Sequence, residues 1–337
     1  MSCLFQFFSN LGINKQTFGN EKKKTAPSRH TLGRIFCMTK FSEDTFTSWT
    51  KPPSDSEQGR LETSERHVKE AISEDDKLNK MSIEVFGQGS YANDTNVRLN
   101  SDIDINVMYM DGYFFELPDG ATEVDVGIDK TPASSYSFKE FKNDVEAALV
   151  EKFGRDQVVR KNKCITVKAT AQRVQTDVVP TWQFRRYSKD KSFVAGVRFY
   201  PDDSFWPVTN YPKQHIRNAV KKNSDTQKRF KRLTRLHRKL RYKMKEDQVA
   251  VSDNITSFLL ECLIWNVPNR IMNNNETWTS RLRESIVYLY QQTKEDKSCT
   301  DWGEVSELLY LLRGGRKWSR SDVNAYMLQL WNYLELE

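Results

Sequence analysis

Two aspartates, Asp102 and Asp104, stand one residue apart in Ser101-Asp102-Ile103-Asp104-Ile105. Side chains on a strand alternate between faces, so both carboxylates project from one face and Ile103 and Ile105 from the other. Carboxylates sharing a face repel each other. A hard cation such as Mg2+ relieves that repulsion, taking carboxylate oxygens together with substrate phosphates. Upstream lies Phe86-Gly87-Gln88-Gly89-Ser90, and eleven residues separate Ser90 from Asp102. Glycine there lets the backbone approach a phosphate and present its N–H groups, and Ser90 adds a hydroxyl donor. A third carboxylate, Asp177, sits in the otherwise apolar run Val174-Gln175-Thr176-Asp177-Val178-Val179, where an uncompensated charge is costly. Three such acids suffice for two metal ions about 4 Å apart, activating a 3′-hydroxyl and stabilising departing pyrophosphate. A lone DxD is commonly a solvated strand; the combination points to chemistry.

The elements that must position these residues are legible around them. Ser54 and Glu57 match a capping box, and Leu61, Val68, Ala71 and Ile72 then share one face of a helix predicted over 55–75. Strands are predicted at 82–86, 102–110, 164–170 and 174–182, with a helix at 141–154 closed by Gly154. From residue 213 onward every signal is helical, including Val305–Arg313. Pro201, Pro207 and Pro212 mark a linker at 190–212. The expected organisation is a tail at 1–37, a mixed core at 38–205 and a helical lobe at 206–337. Strands mixed with helices predict an α/β or α+β layer.

Composition narrows the class. The 337 residues predict about two domains, and 12% aromatic residues rule out wholesale disorder. No apolar run is long enough for a transmembrane helix, and the N-terminus is not read as a signal peptide. Five dispersed cysteines without CxxC exclude a disulfide framework and a zinc site and favour a reducing cytoplasm. Cys164 reads as a small core hydrophobe, and His215 and Asn218 as structural. Net charge is +7, yet residues 213–245 alone carry 14 Lys/Arg against Asp225. Phe230, Leu233, Leu236 and Leu240 form the inward stripe of that segment, so several cations are expected to face solvent.

At these residues the sequence resembles the polymerase-β-like nucleotidyltransferases, and more closely the cGAS/DncV-like enzymes of bacterial anti-phage defence. The segments carrying the resemblance are 51–57, 85–107, 148–154, 176–187, 230–241 and 255–269. The resemblance implies an α+β fold: a nucleotidyltransferase core of mixed sheet and helices with a C-terminal helical lobe of the poly(A) polymerase/oligoadenylate synthase type, nucleoside triphosphates binding between them. Asp102 and Asp104 match the metal-binding pair, and Asp177 the acid that activates the acceptor. Gln88 and Ser90, with Gly89 between them, match the loop holding the donor triphosphate. A family lysine on the triphosphate corresponds to Arg238, with Lys239 beside it, and a family serine to Ser257. The implied activity is synthesis of a cyclic di- or trinucleotide messenger with two Mg2+ ions, Mn2+ being the alternative, and ATP among the substrates. A separate effector protein would answer to the product. Two other readings stay open: linear or other nucleotidyl transfer on the same fold, and an RNA-binding protein with a vestigial site. The basic segment adds the expectation of an RNA activator.

Overall fold

The computed structural model describes residues 39–97, 102–128 and 135–336, so the expected tail at 1–37 lies outside the described residues. Helix α1 (Glu43–Trp49) and helix α2 (Asp55–Glu74) come first. The predicted capping box opens α2: the Ser54 hydroxyl accepts from the Glu57 N–H, and the Glu57 carboxylate accepts from the Ser54 N–H. Strand β1 (Ile83–Gln88) runs into the one-turn helix α3 (Gly89–Ala92), and β2 (Ile103–Glu116) follows. Helix α4 (Phe138–Phe153) leads to β3 (Val158–Arg160), β4 (Ile165–Val167), β5 (Thr176–Tyr187), β6 (Phe193–Phe199) and β7 (Val208–Asn210). The remainder is helical: α5 (Pro212–Asp225), α6 (Arg229–Glu246), α7 (Ser257–Asn266), α8 (Asn269–Asn273), α9 (Trp278–Gln292), α10 (Asp296–Cys299) and α11 (Arg320–Tyr333).

The seven strands form one sheet in the order β1-β2-β5-β4-β3, with β6 on β5 and β7 on β6. Only β2 and β5 run parallel; the other pairs are antiparallel. Ile103, Ile105 and Val107 on β2 are fully buried and pack with Val178, Leu61 and Val68 of α2, and Phe141, Val145 and Leu149 of α4. The alternation read from the sequence therefore holds: odd positions of β2 face the helices and even positions carry the acids away from them. This yields the expected α+β architecture of a mixed sheet followed by helices.

Two expectations fail, each for a physical reason, and a third holds only in part. The segment 190–212 is not a linker, because β6 and β7 extend the sheet through it. Its prolines sit outside the strands, Pro212 at the first turn of α5, where a missing N–H costs nothing. Residues 305–313 are not a helix. Glu307 is left-handed at φ 60, and the carbonyls of Gly303 and Val305 accept from the side chains of Asn266 and Asn218. Helix α6 turns several of its cations to solvent in whole or in part, as expected, and buries the others. Phe230, Leu233, Leu236 and Leu240 are fully buried as expected, but Lys231, Arg235 and Arg238 are buried with them. Arg235 donates to the carbonyls of Thr50 and Asp94, tying α6 to the end of α1 and to the chain after α3. Only Arg232 and Lys245 on α6 are exposed, and Lys245 pairs with Asp253 at 3.0 Å.

The hairpin between β3 and β4 is fixed by a buried cation. Lys142 of α4 is 1% exposed. Its ammonium donates to the Asn162 carbonyl at 2.9 Å and the Lys161 carbonyl at 3.4 Å, and pairs with Asp202 at 2.9 Å. Lys142→Met would strand the Lys161 carbonyl, while the Asn162 carbonyl would keep the Asp202 N–H at 3.0 Å and the Asp202 carboxylate would keep Arg160 at 2.8 Å. Chemical denaturation of Lys142→Met is expected to show a loss of about 2–4 kcal/mol, short of the full penalty for an orphaned buried charge.

Candidate active site

The pairing of β2 with β5 decides the geometry. Their register sets Asp104 opposite Asp177, and β1 sets Gln88 opposite Asp104 on the other side. Thr166 of β4 lies opposite Asp177. A single strip across four adjacent strands thus reads Gln88, Asp104, Asp177, Thr166. Asp102 lies two residues before Asp104 on the same face, at the exposed start of β2, and accepts from the Gln175 amide at 3.2 Å. The three acids called from the sequence are therefore brought together.

Their charges are only partly answered. Asp177 accepts from the Thr166 hydroxyl at 2.5 Å and lies 3.7 Å from the Lys161 ammonium. Asp102 and Asp104 make no ion pair among the described residues. Burial first, then the charges of Asp177 and Asp102, push the Asp104 carboxyl up to about 6, with Arg238 pulling the other way. Burial and the Asp177 charge also raise Asp102, against Lys161 and the Gln175 hydrogen bond. Among the described residues no three His, Cys, Asp or Glu side chains close into a metal cage. The donor set instead fits a cation that keeps several waters and takes one or two carboxylates plus substrate phosphates, as Mg2+ does.

The Gln88-Gly89-Ser90 loop is shaped by the acid beside it. Gly89 is left-handed at φ 64, and a Cβ there would collide with the Asp104 carboxylate. Glycine is required here on both counts, conformation and close approach. Gln88 precedes it, its amide oxygen accepting from the Asn106 side chain at 3.3 Å, while Thr181 donates to Asn106 at 2.8 Å. Asn106 is fully buried. It continues the even face of β2 after Asp102 and Asp104, so the period of two already contained it, though only the acids drew notice. Thr166, in the alternation of Ile165–Val167, was missed in the same way. Ser90 lies in α3, half-buried, its carbonyl accepting from Thr95 N–H at 2.9 Å.

The two residues assigned from the helical lobe fare differently. Ser257 opens α7, its hydroxyl 3.3 Å from that of Tyr242. Arg238 is buried and donates to the Thr95 carbonyl at 2.8 Å and hydroxyl at 3.2 Å. Thr95 in turn donates to Glu261 at 2.9 Å, and His215 lies 3.1 Å from the other Glu261 oxygen. Burial alone would raise Glu261, but the bond and charge of His215, then Arg238 and Thr95, outweigh it and the net direction is down. His215 and Asn218 are thus structural, as read. Cys164 is half-buried rather than fully in the core, and burial pushes its thiol up to about 11.

A family model described as the cGAS/DncV-like nucleotidyltransferase C-terminal helical domain matches residues 217–335. The chain is 65% identical to the cyclic dipyrimidine nucleotide synthase CdnE of Cecembia lonarensis, over 88% of this chain and 100% of that one. It is 35% identical to the enzyme of the same name from Legionella pneumophila, over 87% and 98%. The structure of the Elizabethkingia meningoseptica CdnE cyclic dinucleotide synthase with GTP and Apcpp superposes with a TM-score of 0.73 at 31% identity, covering 87% of this chain and 98% of that one.

Two outcomes follow from the crowded carboxylates. In the folded chain Asp104 ionises near pH 6 rather than near 4, so its ionisation costs stability that grows between those values and is constant above. Asp104→Asn is therefore expected to be more stable than the parent by on the order of 1–3 kcal/mol at pH 8. In thermal unfolding measured without divalent metal, the gain shrinks as pH falls from 6 to 4. Equal stability at pH 8 would show that the carboxylates do not repel. Gly89→Ala is expected to lower nucleotidyl transfer at least about tenfold, because the added methyl must displace the Asp104 carboxylate; steady-state rates check it.

Proposed function

This chain belongs to the cGAS/DncV-like nucleotidyltransferases and is a cyclic-nucleotide synthase, and we propose that it joins two pyrimidine ribonucleoside triphosphates into a cyclic dinucleotide for anti-phage signalling. The observation carrying the base assignment is the 65% identity spanning the whole Cecembia enzyme. Relatives of this family are solved with nucleotides and their analogues, which supports nucleotide substrates here. No helix among the described residues is long and apolar enough to cross a membrane; we place the enzyme in the cytoplasm with its triphosphates.

The reaction has two transfers. In the first, a ribose hydroxyl of the acceptor attacks the α-phosphorus of the donor. The new P–O bond forms, the bond to the β-phosphate breaks, pyrophosphate leaves and the hydroxyl gives up its proton. In the second, the other ribose hydroxyl attacks the remaining triphosphate within the linear dinucleotide and a second pyrophosphate leaves. We assign Gly89 and Ser90 to the donor phosphates, where the left-handed glycine opens the backbone to them. Gln88, held by Asn106, orients that loop. Asp177 receives the acceptor hydroxyl. The family uses divalent metal ions, and Asp102, Asp104 and Asp177 would hold them; Mg2+ supplies Lewis acidity at the phosphates when bound. We keep Ser257 as a phosphate ligand and read Arg238 as a positioning residue, since it acts on the loop after α3 through Thr95.

Nothing here singles out an RNA activator: Lys231, Arg235 and Arg238 are buried while Arg232 and Lys245 face solvent, and synthesis is expected without nucleic acid. The test is mass spectrometry after incubation with the four ribonucleoside triphosphates and Mg2+. The expected product is a phosphatase-resistant cyclic dipyrimidine, formed by the parent and lowered at least about a thousandfold by Asp177→Asn. A purine in the ring overturns the base assignment. A linear product overturns cyclisation, and near-native synthesis by Asp177→Asn overturns the role of that acid.

A further inference from the structure

Thr95 lies three residues after α3, is fully buried and engages every polar atom it has. Its N–H donates to the Ser90 carbonyl at 2.9 Å, and its own carbonyl accepts from Arg238 at 2.8 Å. Its hydroxyl accepts from Arg238 at 3.2 Å and donates to Glu261 at 2.9 Å. The direction is set by chemistry, since a guanidinium only donates and an ionised carboxylate only accepts. Arg238 and Glu261 are 4% and 3% exposed. One hydroxyl thus bridges a buried cation and a buried anion. The other Glu261 oxygen lies 3.1 Å from His215, whose ring lies against Phe258 at 5.6 Å. Both carboxylate oxygens are therefore engaged, and the orientation of Glu261 is fixed.

These partners form a closed frame. Arg238 and Tyr242 stand four residues apart on α6, and Ser257 and Glu261 four apart on α7. Residues at that spacing share one helix face, about 6 Å from each other along the axis. The Tyr242 and Ser257 hydroxyls, 3.3 Å apart, close one end of the frame. Thr95 closes the other. The part of the chain that carries β1 and β2 contributes only Thr95 to this ring, and that corner is tied directly to Ser90. The opposite end holds Ser257. Ser90 and Ser257 are the two hydroxyls assigned above to phosphates, so the frame joins them through buried hydrogen bonds and two single helix turns.

We propose that Thr95 and Glu261, with Tyr242 at the far end, are positioning residues that set the span between the Ser90 and Ser257 hydroxyls and so fix the place of the donor triphosphate. Thr95 and Glu261 are too deeply buried to touch a nucleotide and act through the two serines. This rests on the assignment of those serines to phosphates and adds what holds them at a working distance.

The test uses the full chain with Mg2+ and a UTP analogue blocked by an α,β-imido bridge, titrated calorimetrically, beside steady-state transfer rates. Thr95→Val keeps the side-chain shape and loses the hydroxyl. It is expected to weaken the analogue at least about tenfold and to raise KM by a similar factor. Thr95→Ser keeps the hydroxyl and should stay within about threefold of the parent in both. Tyr242→Phe opens the frame at a half-buried corner and decides the matter where Thr95→Val does not fold; it too is expected to raise KM. A merely structural loss would lower the folded fraction, and kcat with it, and leave KM and the affinity of the folded protein unchanged. In a Ser257→Ala background Thr95→Val should add less than about threefold, because the hydroxyl it positions is gone. Unchanged affinity in Thr95→Val and Tyr242→Phe overturns the proposal, as does a Thr95→Ser variant as weak as Thr95→Val. If Ser257→Ala binds like the parent, the assignment of Ser257 falls and the proposal with it. If Ser257→Ala binds more weakly and Thr95→Val adds in full, the assignment stands and only the proposal falls.

Discussion

The parallel pairing of β2 with β5 is the constraint from which the rest of this structure follows. It places Asp104 beside Asp177 across one hydrogen-bonded ladder, with Asp102 two residues away on the same face. Adjacent parallel strands are about 5 Å apart, so the carboxylates repel in a partly buried setting. The fold supports this with the odd face of the same strand. Ile103, Ile105 and Val107 bury fully against α2 and α4, and removing such side chains costs about 2–5 kcal/mol each. A slip of one residue would send the acids into that core and the isoleucines into the site. One alternation thus fixes both the stability of the core and the position of the chemistry.

The cations of α6 answer the same constraint from the other side. Arg238 is close enough to Asp104 to lower its pKa, yet its hydrogen bonds go to Thr95. Arg235 is tied to Thr50 and Asp94. These arginines place positive charge behind the acids while being held by neutral carbonyls and, for Arg235, a peripheral carboxylate. Arg238 thus leaves Asp104 open to an incoming cation, whereas Asp177 already faces Lys161 at 3.7 Å. Arginine suits this role, since its planar fork donates several bonds from a buried position without losing its charge.

The most legible features in the sequence were those set by local chemistry. The Ser54–Glu57 capping box, the Gly154 stop and the Asp102-Ile103-Asp104 alternation each depend on neighbours within four residues, and each stands where read. The failures share a different cause. Strands β6 and β7 exist because β5 is long enough to pair first with β4 and then with β6, which no local pattern shows. Residues 305–313 have helical composition, but side chains from α5 and α7 claim the carbonyls of Val305 and, just before the segment, Gly303. The positive charge of 213–245 was correctly located, and several of its cations face solvent as expected; the stripe of leucines did not reveal that Arg235 and Arg238 are buried beside it, where carbonyls from elsewhere in the chain receive them. Thr95 and Glu261, which complete the support of the phosphate loop, lie far apart in sequence and carry no motif.

The asymmetry of the sheet also bears on how one set of acids serves two successive transfers. On the proposed reading, after the first transfer the triphosphate that belonged to the acceptor must become the donor and move to the Gln88-Gly89-Ser90 side. A tight site on the acceptor edge would trap the linear dinucleotide in the orientation of the first step. The cation that the β3–β4 edge presents to the acids is Lys161, exposed and 3.7 Å from Asp177, and exposed charge is screened by water and salt. The donor side instead has a glycine loop packed against Asp104 and braced by buried Asn106 and Thr181. A preformed loop on one edge and a solvent-screened lysine on the other make the two edges unequal, and on the proposed reading that inequality favours turnover of the intermediate toward the ring.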